Sequence, residues 1–452
     1  MKKNIYLIGA TLMFSSCGIY TNYHKAEEVP GALYGEEVVV ESTESLGDMD
    51  WRNLFTDPQL QTLIEQGLQN NTDMQSARLR VEQAEATLLS AKLAYLPSFA
   101  LAPQGTVSSF ANTKAVQTYQ LPVTASWQLD LFGSIRNSKK QSKALLEQSK
   151  DYERAVQTQI IAGIANTYYT LQMLDKQLAI SEQTEKSWGE SVKSTRALMN
   201  AGMANEAAVS QMEAAWYSVQ TSVLGLKEQI NQVENSLSLL LAEAPHSVTR
   251  SSEVSFGYPE KLSVGLPVEV LANRPDVRAA ERQLEAAFYT TNVARSAFWP
   301  NITLSGLAGW TNSAGSMIIN PAKFAAQAVG SLTQPLFAQG KLVALYKISK
   351  ASQEQASLSF QQAILNAGAE VNEALVACQT SREKVALFDA QVVALEKAYK
   401  STSLLMEHGN TTYLEVLTAQ QSLLTAQLQQ TANRFTEIQS VISLYQALGG
   451  GR

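Results

Sequence analysis

Few side chains in this 452-residue sequence are of the types that make or break bonds. The three histidines, His24, His246 and His408, lie far apart and off metal-ligand spacings, so no metal site is expected. His408 reads as an exposed side chain. No phosphate-binding glycine loop, dinucleotide fingerprint or nucleophile elbow is present. Gly449, Gly450 and Gly451 read as a frayed C-terminus rather than a phosphate cradle. Of the two cysteines, Cys378 falls within a helical pattern and reads as a small core residue. These residues predict a protein that is not an enzyme and carries no cofactor.

Cys17 is the reactive candidate. Lys2 and Lys3 precede a short apolar run, Ile5 to Phe14, and then Ser15, Ser16, Cys17 and Gly18. A positive start, a short apolar stretch and small residues make a secretory signal, too short to span a bilayer as a helix. A lone cysteine after such a stretch resembles the acylation box of bacterial lipoproteins, so residues 1–16 read as signal peptide and Cys17 as a lipidated first residue. More than one acyl chain on that residue is enough for stable anchoring.

The elements that could position anything else follow from composition. Lys and Arg number 35 against 41 Asp and Glu, a net charge of −6, which argues against a nucleic-acid partner. Charged residues are 17% of the chain, below the ~25% usual for soluble proteins. No stretch after residue 16 reaches the ~20 apolar residues of a spanning helix, so a membrane crossing would require a β-barrel.

The sequence repeats itself. Asp73 to Pro97 matches Asp276 to Pro300 at an offset of 203, with Ala77, Ala84 and Ala91 against Ala280, Ala287 and Ala294. Leu131-Phe132 matches Leu336-Phe337, and Leu198 to Gly202 matches Leu405 to Gly409. Residues 123–244 and 336–452 contain no proline and are rich in Ala, Leu, Gln, Glu and Lys, which predicts long helices. Each run is broken once, at Gly202 and at Gly409, where glycine can take a positive φ after a helix end.

Val209, Met212, Trp216, Val219, Val223, Leu226, Ile230, Val233, Leu237 and Leu240 step alternately by three and four, a coiled-coil seam. A second seam runs from Phe360 to Tyr399 through Val371, Cys378 and Val392. In the last helix the apolar line runs instead through Leu414, Leu417, Leu424, Phe435, Ile442 and Tyr445, which implies different neighbours. The run from about Ser138 to Met199 would be roughly 90 Å long as a helix, which predicts a rod or tube.

Two β-like zones interrupt the helices. Tyr119, Leu121, Val123, Ala125, Trp127, Leu129 and Leu131 alternate with polar residues or proline; Ile302, Leu304, Ala308 and Trp310 share one side of a second run. Residues 98–131 and 301–337 each predict one hairpin, the strand at 323–337 resting mainly on the repeat. Four strands cannot close a barrel. They form either a half-buried soluble sheet or part of a barrel shared by several chains.

Trp51 to Leu60, Asn273 to Glu281, Ala297 to Pro300 and Tyr445 to Gly451, with the duplication and the acylation box, give a chain that resembles the TolC-like outer-membrane efflux proteins, lipoprotein branch. The resemblance covers nearly the whole mature chain. It implies a mainly α fold with a small β part. Three chains would join duplicated antiparallel helices into a periplasmic α-barrel and four strands each into a 12-stranded transmembrane β-barrel. It implies an outer-membrane exit duct for drugs, dyes or metal ions, with a periplasmic adaptor and an inner-membrane RND-type transporter as partners. Gly202 and Gly409 would then mark the adaptor-docking tips. An acidic residue six positions after the tip glycine commonly faces the pore in that family. Glu415 holds that place in the second repeat, while the first has Ala208, with Glu206 or Glu213 as substitutes. Glu415 could equally be a solvated helix-surface residue.

Asn273, Arg274, Pro275 and Asp276 read as a structural helix start, with Asn273 capping, Pro275 in the first turn and Asp276 at the positive end. The expected divisions are 1–16, 17–57, a repeat over 58–245, a connector over 246–266 and a repeat over 267–452. Competing readings are a secretion duct for proteins, a coiled-coil structural lipoprotein without a pore, and a periplasmic adaptor, which would lack the duplication.

Overall fold

The computed structural model describes Tyr23 and residues 45–109, 111, 114–258, 273–314, 317–409 and 411–451. The expected lipidation site at Cys17 lies outside the described residues, with the signal segment and much of the connector.

The proline-free, Ala- and Leu-rich runs are helices. The order is α1 (Pro58–Asn70), α2 (Thr72–Leu93), β1 (Ser98–Leu101), β2 (Gln104–Ser108), β3 (Val116–Leu129), α3 (Ser134–Asn200) and α4 (Glu206–Leu240). Then come α5 (Pro275–Ser296), β4 (Asn301–Ala314), β5 (Met317–Thr333), α6 (Lys341–Glu407) and α7 (Tyr413–Ala447). The duplication is metric: α2 and α5 each have 22 residues, α3 and α6 each have 67, and α4 and α7 each have 35. A 67-residue helix is about 100 Å long at 1.5 Å per residue.

The described residues divide into two compact units, 79–151 with 279–362, and 45–78 with 152–278 and 363–451. The second unit holds the main core. Leu54, Phe55, Leu60 and Ile64 pack with Ile161, Ile164, Tyr168, Tyr169, Leu237, Val371, Cys378, Ile438 and Ile442, all at most 2% exposed. Burying each such aliphatic side chain contributes about 1.5–3 kcal/mol. The seam expected along α4 is the buried side: Val209, Met212, Val219, Val223 and Leu237 are buried and the remainder half-buried. The α6 seam is likewise buried or half-buried from Phe360 to Tyr399. Burial pushes the Cys378 thiol up to about 11, as for a small inert core residue.

In α7 the burial departs from a single seam. Leu414 is exposed, whereas Phe435, Ile438, Val441, Ile442, Leu444 and Tyr445 are all buried. The C-terminal half of this helix is enclosed, which accounts for the shifted apolar line.

The C-terminus is not frayed. Gly449 has φ +78°, its N–H donates to Gln446 O and that of Gly450 donates to Tyr445 O. These are the paired bonds of a helix-ending Schellman turn. Gly451 N–H donates to the Tyr445 hydroxyl, which donates to Met49 O. A Cβ on Gly450 would lie 2.4 Å from the Tyr445 ring, so glycine is needed there to close the turn against the aromatic.

In the first unit, β1 and β2 both pair antiparallel with β3, which pairs with β4, and β4 with β5. The first expected strand is therefore two pieces on one neighbour, broken at Ala102 and Pro103. The fourth is Met317–Thr333, earlier than the 323–337 expected. Its first residues do not alternate, and residues 334–337 lie beyond the ladder. Pro122 stands inside the central strand β3, opposite Gly309. A Cβ on Gly309 would sit 2.1 Å from Leu121 O, so the strands approach closely where proline removes a donor.

Candidate functional site

The sheet comes first, because its two faces differ. Leu121, Trp310 and Phe324 are in register, as are Val123, Ala308 and Ala326, and Trp127, Leu304 and Gly330. Alternation places these residues on one face. Little covers that face: Phe99, Leu121, Trp127, Leu304, Trp310 and Phe324 are 39–70% exposed. The opposite face carries Gln120, Thr124, Ser126, Ser305, Gln327 and Ser331. Aromatic rings mark both ends of the ribbon. Phe132 stacks on Trp299 at one end and Trp310 meets Phe324 edge-on near the other. Trp310 lies eleven positions after Trp299, which stands just before β4, about 36 Å if fully extended, or about 28 Å once tilted by ~40°. That matches the ~25 Å apolar band of membrane barrels. Among the described residues, β5 is an open edge, as are β1 and β2 on the other side.

The hairpin tips belong to the second unit. The α3 helix ends in a Schellman turn: Met203 N–H donates to Leu198 O, Gly202 N–H donates to Met199 O, and Gly202 has φ +76°. Gly409 at the end of α6 has φ +72°, and its N–H donates to Met406 O. Nothing lies within 4 Å of where a Cβ on either glycine would sit, so backbone conformation alone selects glycine. Gly202→Ala is expected to cost about 1–2 kcal/mol locally, read as faster amide exchange around residues 196–206 without loss of the global fold.

After each turn an ascending helix starts. Asn205 caps α4 by accepting from Ala208 N–H at 2.8 Å, and exposed Glu206 follows in the first turn. Thr412 makes no side-chain cap on α7; the Thr411 hydroxyl instead donates to the exposed Glu415 carboxylate in the first turn. Glu213 is half-buried and pairs with Arg196 across the α3–α4 hairpin. Tyr413 OH donates to Gln211 at 2.8 Å, tying the α7 start to α4, above a cluster of Trp188, Val192, Met212, Val219 and Leu417. Glu206 and Glu415 are thus exposed carboxylates in the first turns of the two ascending helices, Glu415 held by Thr411, whereas Glu213 is held inside one hairpin.

The Asn273 to Asp276 segment is built differently from the sequence expectation. Arg278 N–H donates to Arg274 O, so Arg274 occupies the capping position, while the Asn273 side chain reaches Asp48. Arg274 is 5% exposed. It donates to Asp276 twice, at 3.0 and 2.7 Å, to Glu370 at 2.6 Å and to Ala447 O at 2.8 Å. One guanidinium thereby ties the start of α5 to α6 and to the end of α7, all within one chain. A similar joint at Arg250 was not foreseen. It donates to Asp175 at 2.5 and 2.8 Å and to Glu234 at 2.6 Å. No motif marks Arg250, because its partners are distant in sequence.

Duplicated long helices and a short sheet whose apolar face is left exposed define the class of membrane channel subunits. The chain matches the family described as outer membrane efflux protein twice, over residues 63–243 and 266–450, and it belongs to that family. It is 28% identical over 449 residues to the cation efflux system protein CusC of Escherichia coli, covering 97% of each chain. It is 27% identical over 474 residues to the toluene efflux pump outer membrane protein TtgC of Pseudomonas putida, covering 100% of this chain and 96% of that protein. A crystal structure of CusC superimposes with a TM-score of 0.83 at 27% identity, covering 96% of this chain and 100% of that one.

Proposed function

We propose that three copies of this chain close a single 12-stranded barrel in the outer membrane and continue it as a helical tube into the periplasm. The assembly is the exit duct of a tripartite efflux pump. The observation that carries this reading is the four-ribbon sheet with an exposed apolar face and two open edges. Unpaired strand edges are not viable in hydrocarbon, and four ribbons are too few to close. Pairing β5 of one copy with β1 and β2 of the next removes every edge. The polar face then lines water.

Lipid on Cys17 holds the assembly to the membrane. The tips at Gly202 and Gly409 dock a periplasmic adaptor, which joins the duct to an inner-membrane RND-type transporter. Glu415, exposed in a first helical turn, repeats three times around the axis and makes a cation-favouring ring. Glu206 adds a second set of carboxylates, and the Glu213–Arg196 pair braces the hairpin that carries them. Small molecules are the cargo. Relatives named for cations and for toluene share this architecture, so the choice among cargoes rests with the inner-membrane partner.

The stoichiometry is tested by the mass of the detergent-solubilised particle: three chains support the duct, and a monomeric particle rejects it. Glu415→Gln is expected to reduce cation over anion selectivity and to weaken block by divalent cations. Unchanged reversal potentials in asymmetric salt would remove Glu415 from the aperture.

A further inference from the structure

The ends of β1, β3, β4 and β5 that join helices lie at one end of the sheet, since Ser98 pairs with Ser126, Leu129 with Ile302 and Asn301 with Thr333. The four joining segments, residues 87–97, 130–143, 287–300 and 338–350, contain nine Lys or Arg and one acid, Asp130. That is a local net charge of +8 in a chain whose total is −6. Cations at the ends of α2 and α5, Lys92 and Arg295, suit the negative pole of a helix. Those on α3 and α6 do not. Arg136, Lys139, Lys140 and Lys143 occupy the opening turns of α3, and Lys341, Lys347 and Lys350 those of α6. The first turn of neither helix contains an acid; at α3 the Asp130 carboxylate fills that pole, accepting from Ile135 N–H at 2.9 Å and Arg136 N–H at 2.7 Å, whereas the first turn of α6 has only Lys341 as a charged residue. Lys143, Lys341, Lys347 and Lys350 are exposed and make no ion pair among the described residues.

The same level carries interfacial aromatics. Phe132 stacks on Trp299, Lys139 lies over the Tyr95 ring at 5.7 Å, and Arg295 donates to Tyr346 OH at 3.2 Å. Rings of this kind sit where hydrocarbon gives way to headgroups. The apolar sheet face therefore runs directly into a belt in which basic residues outnumber acids nine to one.

We infer that this belt is a docking collar for anionic phospholipid headgroups of the periplasmic leaflet, fixing the depth at which the barrel sits. The inference rests on the membrane-barrel reading above. Charge complementarity and continuity with the lipid-facing surface select the occupant: a phosphodiester supplies negative charge at the start of α6, whose first turn has no acid, and meets the exposed Lys143, Lys341, Lys347 and Lys350.

The test uses the full chain reconstituted in vesicles with spin-labelled phosphatidylglycerol or phosphatidylcholine of matched acyl chains, alongside planar-bilayer currents from the same preparation. Wild-type protein should restrict phosphatidylglycerol on the order of fivefold more strongly than phosphatidylcholine, and less so in high salt. The quadruple variant K143Q, K341Q, K347Q and K350Q should lose that preference while conducting normally, and the four Lys→Arg replacements should retain it. Equal association of both lipids with wild-type protein overturns the collar, as does a quadruple variant that keeps the preference. A variant that shifts ion selectivity but not lipid preference also overturns it, placing these cations in the lumen. Absence of current from wild-type protein is a separate failure, that of the channel reading.

Discussion

Replacing Arg274 by alanine is expected to destabilise the second unit by about 3 kcal/mol, because a nearly buried guanidinium with four hydrogen bonds is removed. The effect should be large despite the exposure of both acidic partners. Asp276 and Glu370 are half exposed and regain water when the arginine goes, which limits their share of the loss. The Ala447 carbonyl loses a donor in a buried setting, and the guanidinium leaves a void between α5, α6 and the end of α7. Arg274→Lys should recover only part of the stability, since an ammonium cannot make the bidentate contact to Asp276 while reaching Glu370 and Ala447. Denaturant unfolding followed by tryptophan fluorescence reads both variants. A loss below about 1 kcal/mol for Arg274→Ala would mean that the joint is a surface ion pair of ordinary weight.

Leu304→Arg should prevent stable insertion, whereas Ser305→Arg, one residue along, should be tolerated. Both lie in β4 about midway between Trp299 and Trp310, but on opposite faces of the sheet. If the apolar face meets lipid, an arginine at mid-depth costs about 2–4 kcal/mol per copy, and three copies repeat the penalty. On the other face the same charge is hydrated and should instead lower cation conductance. Fractionation with a heat-modifiability assay separates the two variants. Equal behaviour would show that the face carrying Leu304 does not contact lipid.

The helical architecture was legible because it rests on local rules. Proline exclusion, the three-and-four spacing along α4 and α6, and a repeat readable in matched Asp, Ala and Gly positions each survive without tertiary information. Strand β3 was legible for the same reason, with Leu121, Val123 and Trp127 in strict alternation. The start of β5 was not, because residues 317–322 belong to an edge whose ladder shifts register near Thr311 and Ser313. Joints depend on distant partners and leave no local trace. Arg274 was found within a motif, yet its bonds to Glu370 and Ala447 span 96 and 173 residues, and Arg250 bonds Asp175 across 75. The order of Gly449 to Gly451 was misread for a related reason. A glycine run looks flexible until the Tyr445 ring and hydroxyl that fill the space beside it are known. At the tips, sequence placed Glu415 at the expected position and left Glu206 and Glu213 as alternatives in the first repeat, and the Arg196 contact separates Glu213 from the other two.

Transport depends on copies of one chain enclosing an aqueous passage. The most direct measurement is the current across a planar lipid bilayer after adding the detergent-purified protein. Discrete, uniform conductance steps carried by a heat-labile trimeric particle are expected. A monodisperse single-chain particle that leaves the bilayer insulating would contradict the shared barrel and, with it, the duct.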